Sequence, residues 1–192
     1  MITNAIVYLV GFAGTGKLTI ARELASVLNA RVIDNHWINN PIFGLMDNDR
    51  VTPFPSGVWD QVDKVREAVL ETIATLSARE ASFILTHAGY EDDPEDRAIY
   101  HAVARTAERR SSLFVPVRLL CQEGELVRRV ISPERAASLK SMNPEAASRD
   151  AKTREVLKIG HPNASTLDVT AMNVKESTAA ILRHIEICNS AR

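Results

Sequence analysis

The sequence predicts an α/β protein: a three-layer α/β/α arrangement on a five-stranded, mostly parallel sheet. Three observations predict it. Short apolar runs alternate with amphipathic helical stretches along nearly the whole chain, the signature of strands joined by crossover helices. The run AIVYLV, residues 5–10, is apolar throughout, as expected of a strand covered on both faces. The segments that follow the predicted strands, GFAGTGK, DNH and THAG, are polar or glycine-rich. Ligands of such sheets gather beyond the carboxyl ends of the strands, so these clusters are expected to converge on one edge.

Each element has its own signal. After the first strand, Ile20, Leu24, Val27 and Leu28 share a face of a helix that starts near Gly16. ARVI (30–33) reads as a second strand closed by Asp34. Residues 35–57 carry Pro41, Pro53, Pro55, Gly44 and Gly57 and read as a long irregular loop, which in a small domain points to function. From Asp60 to about Ser77, Val62, Val65, Val69, Ile73 and Leu76 step along one helical stripe. SFIL (82–85) is the third strand, running into Thr86 and His87. Asp93-Pro94-Glu95-Asp96 supplies a cap, a first-turn proline and acids for the positive helix end, and that helix runs to about Arg109.

LFVPVRLL (113–120) is the fourth strand, with Pro116 arguing for an edge or a bulge. A charged helical stretch follows, with Ser132-Pro133 as a fresh helix start, and Asn143-Pro144 opens another helix that Gly160 is placed to end. STLDV (165–169) is the fifth strand, and Asn173 with Glu176 forms a capping box for a last helix carrying Ile181, Leu182 and Ile185.

A length of 192 residues suits one domain, and 45% hydrophobic with 24% charged residues is ordinary for a globular chain. The formal net charge of -1 gives no basis for a nucleic-acid or anionic-membrane partner. Cys121 and Cys188 are far apart and lack metal-ligand spacing, which fits a reduced compartment. The amino terminus has no basic region before its short apolar run, and no stretch approaches the roughly 20 apolar residues of a membrane span. The expectation is a cytoplasmic protein, monomeric or homodimeric.

Residues 11–19, GFAGTGKLT, carry the chemistry. Gly11, Gly14 and Gly16 let the backbone turn its N–H groups inward on an anion, with Phe12, Ala13 and Thr15 between them. The helix that follows adds its positive end, and Lys17 adds a mobile charge for terminal phosphates. Leu18 stands where a magnesium-binding hydroxyl is usual. Thr19 is turned by about 100° from that position and is better placed to touch a phosphate oxygen. Either magnesium is held by phosphates, water and carboxylates, or the site binds nucleotide with weak metal affinity.

Asp34 follows the second strand, where it orients magnesium waters or takes an acceptor proton, or else caps a turn. His36 binds the acceptor or hydrogen-bonds within its loop, and His87 is a packed side chain or an acceptor contact. The acids Glu91 to Asp96 surround a helix start and are better explained by capping than by a metal. Arg128, Arg129, Arg135 and Lys140 form a basic segment suited to a lid over a transferred phosphoryl group, or to a solvated helix face. Arg149 and Arg154 are expected at the surface.

GFAGTGKLTIARELASVL, VIDNH, LLCQEGELVRRVISPER and STLDVTAMNVKESTAAILRHI together resemble the P-loop small-molecule kinases, near shikimate kinase, gluconokinase and chloramphenicol phosphotransferase. Lys17-Leu18-Thr19, Asn35-His36 and Asp93-Pro94-Glu95-Asp96 are also similar to a bacterial group of AAA-family-like P-loop ATPases. The resemblance implies a P-loop NTPase fold of the nucleoside-monophosphate-kinase type. It also implies a small helical lid at about 128–145, an acceptor-side loop at about 35–57, and ATP with Mg2+ as cofactors. Lys17, Asp34, Arg129 and Arg135 would then be catalytic, with Asp34, His36 and His87 on the acceptor and Asp34 on the metal through water. The base would lie against GHPNAS, residues 160–165, before the last strand. Substrate identity is not carried over, because THAGY (86–90) lacks the glycine-rich stretch of shikimate kinase. A nucleotide-binding sensor and a nucleoside or nucleotide kinase stand as alternatives to a small-metabolite kinase.

Overall fold

The computed structural model describes residues 2–46, 54–132 and 142–191. Its strands are β1 (Ala5–Val10), β2 (Arg31–Ile33), β3 (Phe83–His87), β4 (Leu113–Leu120) and β5 (Ser165–Asp168). The helices are α1 (Lys17–Leu28), α2 (Asn35–Phe43), α3 (Val58–Thr75), α4 (Pro94–Arg109), α5 (Glu123–Val130), α6 (Pro144–Thr153) and α7 (Val174–Ser190).

The sheet order is β2-β3-β1-β4-β5 and every pairing is parallel. After β1 the chain builds one side of the sheet, then crosses back to build the other. The carboxyl end of β1 is thus the switch point where a crevice opens, and GFAGTGK lies there. Alternation along β1 divides the core. Ile6, Tyr8 and Val10 face one layer with Phe83, Leu85 and Phe114, under α3 and α4. Ala5, Val7 and Leu9 face the other, under α1 and α7.

Several expectations needed correction. Residues 35–43, read as loop, are helical: Asp34 is extended (φ -71, ψ 144), its carbonyl takes the Trp37 N–H at 2.8 Å, and buried Ile38 and Phe43 anchor the turns. Pro41 is tolerated because it falls near the helix end, where few hydrogen bonds remain to be lost. The rest of the expected loop is partly outside the described residues.

Pro116 does not mark an edge. Carbonyls of Phe114 and Leu120 both face the β5 side, where they accept from Asn163 Nδ2 and Val169 N. By alternation Pro116 faces that side too, but β5 begins only at Ser165, opposite Val117. The missing N–H therefore costs no ladder bond. β3 ends at Thr86 and His87 as expected, whereas α6 stops at Thr153 rather than at Gly160. Val27 and Leu76, assigned to apolar stripes, are 53% and 79% exposed, at the margins of those stripes. The Asp93 cap on α4 and the Asn173–Glu176 capping box on α7 form as expected. The Ser132-Pro133 helix start lies at the limit of the described residues, and both cysteines are free. No helix among the described residues is long and apolar enough to cross a membrane.

Candidate active site

The loop after β1 is shaped by its glycines. Gly14 and Gly16 take φ values of 92 and 85, left-handed conformations that L side chains resist. Gly11 is needed for space, since a Cβ there would stand 2.7 Å from the Leu119 carbonyl oxygen. The loop is braced from within. Thr15, fully buried, donates its hydroxyl to the Phe12 carbonyl at 2.9 Å, and its N–H reaches the same oxygen at 3.2 Å. The Gly11 N–H donates to the His87 carbonyl at 3.2 Å, tying the loop to the end of β3.

Helix α1 then begins with no side-chain cap and no acid in its first turn. Its first N–H groups have no carbonyl of their own helix to meet, so they present a partial positive charge at the crevice. Lys17 folds over this opening, and its ammonium donates to the carbonyls of Gly11 and Phe12 at 2.7 and 2.8 Å. Leu18 is half-buried and Thr19 exposed. Backbone amides and a lysine at the rim are the groups that an anion seat requires.

Asp34 stands at the end of β2. It occupies the N-cap position of α2 but its side chain caps nothing. Its Oδ1 instead accepts the Thr86 hydroxyl at 2.6 Å, and the Asn35 N–H donates to that hydroxyl at 3.2 Å. Thr86 sits near the end of β3 and holds the acid supplied by the neighbouring strand. No short-range sequence signal shows this pairing, because the two residues are 52 positions apart. His36 lies in the first turn of α2, half-buried beside Asp34.

Of the two readings of His87, packed side chain or acceptor contact, the structure shows the packed one. Its side chain is 6% exposed, with Nε2 2.7 Å from Asp96 Oδ1 and its ring stacked against Tyr8 at 6.2 Å. The residue belongs to the core beneath the loop, because alternation along β3 turns it inward. Asp96 in turn accepts the Tyr90 N–H at 2.7 Å, so it is more than the dipole partner expected of it. Glu91 pairs with Arg97, and Asp92 with Arg154. Arg154, expected at the surface, lies over the Tyr90 ring at 3.7 Å.

On the other flank, Arg129 lies by Gly16, with Nη1 3.8 Å from where a Gly16 Cβ would be. It is anchored by Glu125 at 2.5 Å and by the carbonyls of Val169 and Thr170 at 3.2 and 3.4 Å. Hydrogen bonding from Arg128, aided by Arg129, pulls the Glu125 carboxyl down to about 2, against a smaller opposing effect of burial. Arg129 is therefore a fixed wall on the β5 side of the loop. Arg135 and Lys140, the remaining members of the basic segment, lie outside the described residues.

GHPNAS is not at this edge. The Asn163 amide bonds the Phe114 carbonyl near the start of β4, at the amino end of the sheet. The segment beside the loop is the one after β5, at Val169 and Thr170. In an all-parallel sheet the residues before a strand and after it lie at opposite edges, which corrects the expected base contact.

No protein-family model matches the chain, and no curated protein matches it in sequence. Solved structures do match in fold. A gluconokinase from Sinorhizobium meliloti 1021 aligns with 100% of this chain and 97% of its own, at a TM-score of 0.67 and 14% identity. A shikimate kinase from Acinetobacter baumannii, in complex with shikimate, covers 100% of this chain and 97% of its own, at 0.59 and 20% identity. An APS kinase from Mycobacterium tuberculosis, in complex with AMPPNP and APS, covers 97% and 99%, at 0.57 and 15% identity. The chain has the fold of these small-molecule kinases over the aligned length.

Proposed function

We propose that the chain is an ATP-dependent kinase that phosphorylates a small hydroxylated acceptor. One observation carries this reading. An uncapped, acid-free helix start with Lys17 over it stands at the same carboxyl edge of the sheet as a carboxylate, Asp34, held by Thr86. The shared fold with gluconokinase, shikimate kinase and APS kinase supports it.

In this reading the β- and γ-phosphates rest on the amides of the loop and of the first turn of α1. Lys17 exchanges its carbonyl partners for phosphate oxygens, with Thr19 assisting at the rim. Asp34 accepts the acceptor hydroxyl's proton as its oxygen bonds the γ-phosphorus and the bond to the bridging oxygen breaks, releasing ADP. His36, next to Asp34, contacts the acceptor. Arg129 steadies charge from the β5 side, and Arg135 would close from the basic segment.

Magnesium is implied by the fold, and the donors fit it. Asp34 offers hard carboxylate oxygens, while no trio of His, Cys, Asp or Glu among the described residues is placed to hold an ion. An ion here would keep waters and phosphate oxygens and meet the protein through Asp34, offsetting phosphate charge. Leu18 favours one alternative, a nucleotide sensor that transfers nothing.

Calorimetric titration with ATP, with and without Mg2+, separates the two. A kinase is expected to bind more tightly with the metal. Lys17→Ala should weaken binding roughly 10- to 100-fold, the worth of a charge-assisted hydrogen bond. Asp34→Asn should spare ATP binding and remove most turnover. Metal-indifferent binding with no transfer to any hydroxylated acceptor would favour the sensor.

A further inference from the structure

We propose that Tyr90 is a positioning residue for phosphoryl transfer, joining the phosphate loop to helix α6. The proposal rests on the kinase reading above. Tyr90 lies three residues beyond β3, and each part of it has a separate partner.

Its ring meets Phe12 of the phosphate loop at 5.4 Å between centroids, and the Arg154 guanidinium covers the ring at 3.7 Å. Its hydroxyl donates to Asp150 Oδ2 of α6 at 3.0 Å. Its N–H donates to Asp96, which holds His87, and the His87 carbonyl accepts the Gly11 N–H. Two paths therefore run from Tyr90 to the loop, one through Phe12 and one through Asp96 and His87. A third runs to α6, the helix that leads out of the basic segment.

The backbone reinforces the third path. Tyr90 forms an isolated antiparallel bridge with Val156. The Glu91 N–H donates to the Glu155 carbonyl at 2.9 Å, and the Leu157 N–H to the Gly89 carbonyl at 3.1 Å. Close approach demands the preceding glycine, since a Cβ on Gly89 would stand 2.8 Å from Val10. Asp92 fixes Arg154 over the ring from the far side. A tyrosine meets all these demands, whereas phenylalanine keeps the Phe12 contact and loses the bond to Asp150.

Phosphoryl transfer depends on alignment, and small displacements of a phosphate cradle cost far more in rate than in binding. Tyr90 sets the height of Phe12, and with it the first turn of the loop, relative to α6. Burial pushes the Tyr90 phenol well up, with Asp150 adding to the effect, so the hydroxyl stays a donor throughout the working pH range.

The test is hydrogen exchange on the full chain, with ATP turnover measured alongside. Tyr90→Phe and Asp150→Ala should each speed exchange at residues 11–16 and in α6 by about three- to tenfold, the loss of one hydrogen bond. The double variant should do no more than either single one. ATP turnover should fall about tenfold while ATP affinity changes by no more than about threefold. Uniformly faster exchange with unchanged turnover would reduce Tyr90 to a structural staple and overturn the proposal. So would unchanged exchange in the loop. If the wild type bound no nucleotide, the kinase reading would fall. Loop exchange in the free protein would then still decide whether Tyr90 joins the loop to α6.

Discussion

The two faces of the sheet are built from different materials. Under α1 and α7 the interior is almost wholly apolar, with Leu9, Ile20, Leu24, Val117, Ile181 and Ile185 at its centre. Under α3 and α4 the interior contains Arg66, His87, Asp96 and Arg110 among its apolar residues. Adjacent residues of β1 show the contrast. Leu9 is buried among aliphatics, whereas the Tyr8 phenol, buried on the opposite face, is pushed well above its ordinary value by burial and by the nearby Asp96 charge.

The polar face holds chain ends and loops that apolar packing cannot orient. Arg110 is the clearest case. Its guanidinium collects the carbonyls of Ile73, Ser77, Ala78, Arg79 and Ala81, closing the end of α3 and the turn into β3. Helix ends leave carbonyls without partners, and one buried cation here satisfies five. His87 and Asp96 do the equivalent at the other edge, fixing the loop after β1. The apolar face supplies stability without direction, and the polar face supplies direction at a cost in desolvation.

That division can be broken by substitution. Leu24→Ala should cost about 2–5 kcal/mol in denaturant unfolding and leave ATP affinity unchanged, since its loss is a cavity remote from the loop. An equal loss of affinity would end the division. Asp96→Ala should cost about 2–3 kcal/mol, because His87 and the Tyr90 N–H lose their buried partner, and should weaken ATP binding through Gly11. Preserved binding would show that the loop keeps its shape without the polar face.

Thr86→Val should be milder in stability, at about 1 kcal/mol, but should lower turnover about tenfold by freeing the Asp34 carboxylate. Full turnover would show that Asp34 needs no second strand to hold it. The smallest effect concerns pH. Glu125 is held below its ordinary value of 4.5, so its ties to Arg128 and Arg129 contribute above that value and are lost as pH falls toward about 2. The difference in ATP affinity between wild type and Glu125→Gln should therefore be flat above about pH 5 and shrink below it. A difference that changes near neutrality would mean that another group controls Arg129.

Much of the fold was legible in the sequence because its signals are local. The apolar run of β1, the Asp93-Pro94 start of α4 and the Asn173–Glu176 box each act within a few residues. The errors came where distant chain decides the outcome. Helix α2 forms despite Pro41 because Ile38 and Phe43 find partners in the core. Pro116 sits in an interior strand because β5 starts one residue too late to need its N–H. At the site, the shape of the loop after β1 was readable, since Gly11, Gly14 and Gly16 set it by backbone geometry alone. The partners of Asp34, His87 and Arg129 were not.

The sequence by itself determined the layered α/β fold, the order of its elements and the glycine-shaped loop after β1, each a consequence of periodicity, capping and backbone freedom over short spans. Only the tertiary structure decided which side chains serve that loop. Thr86 holds Asp34, Asp96 takes His87 into the core, Glu125 pins Arg129 beside Gly16, and Tyr90 reaches Asp150. The physical reason is that a hydrogen bond across a sheet edge joins residues whose separation along the chain is arbitrary. Their pairing is fixed only when strand order and register bring their strands side by side.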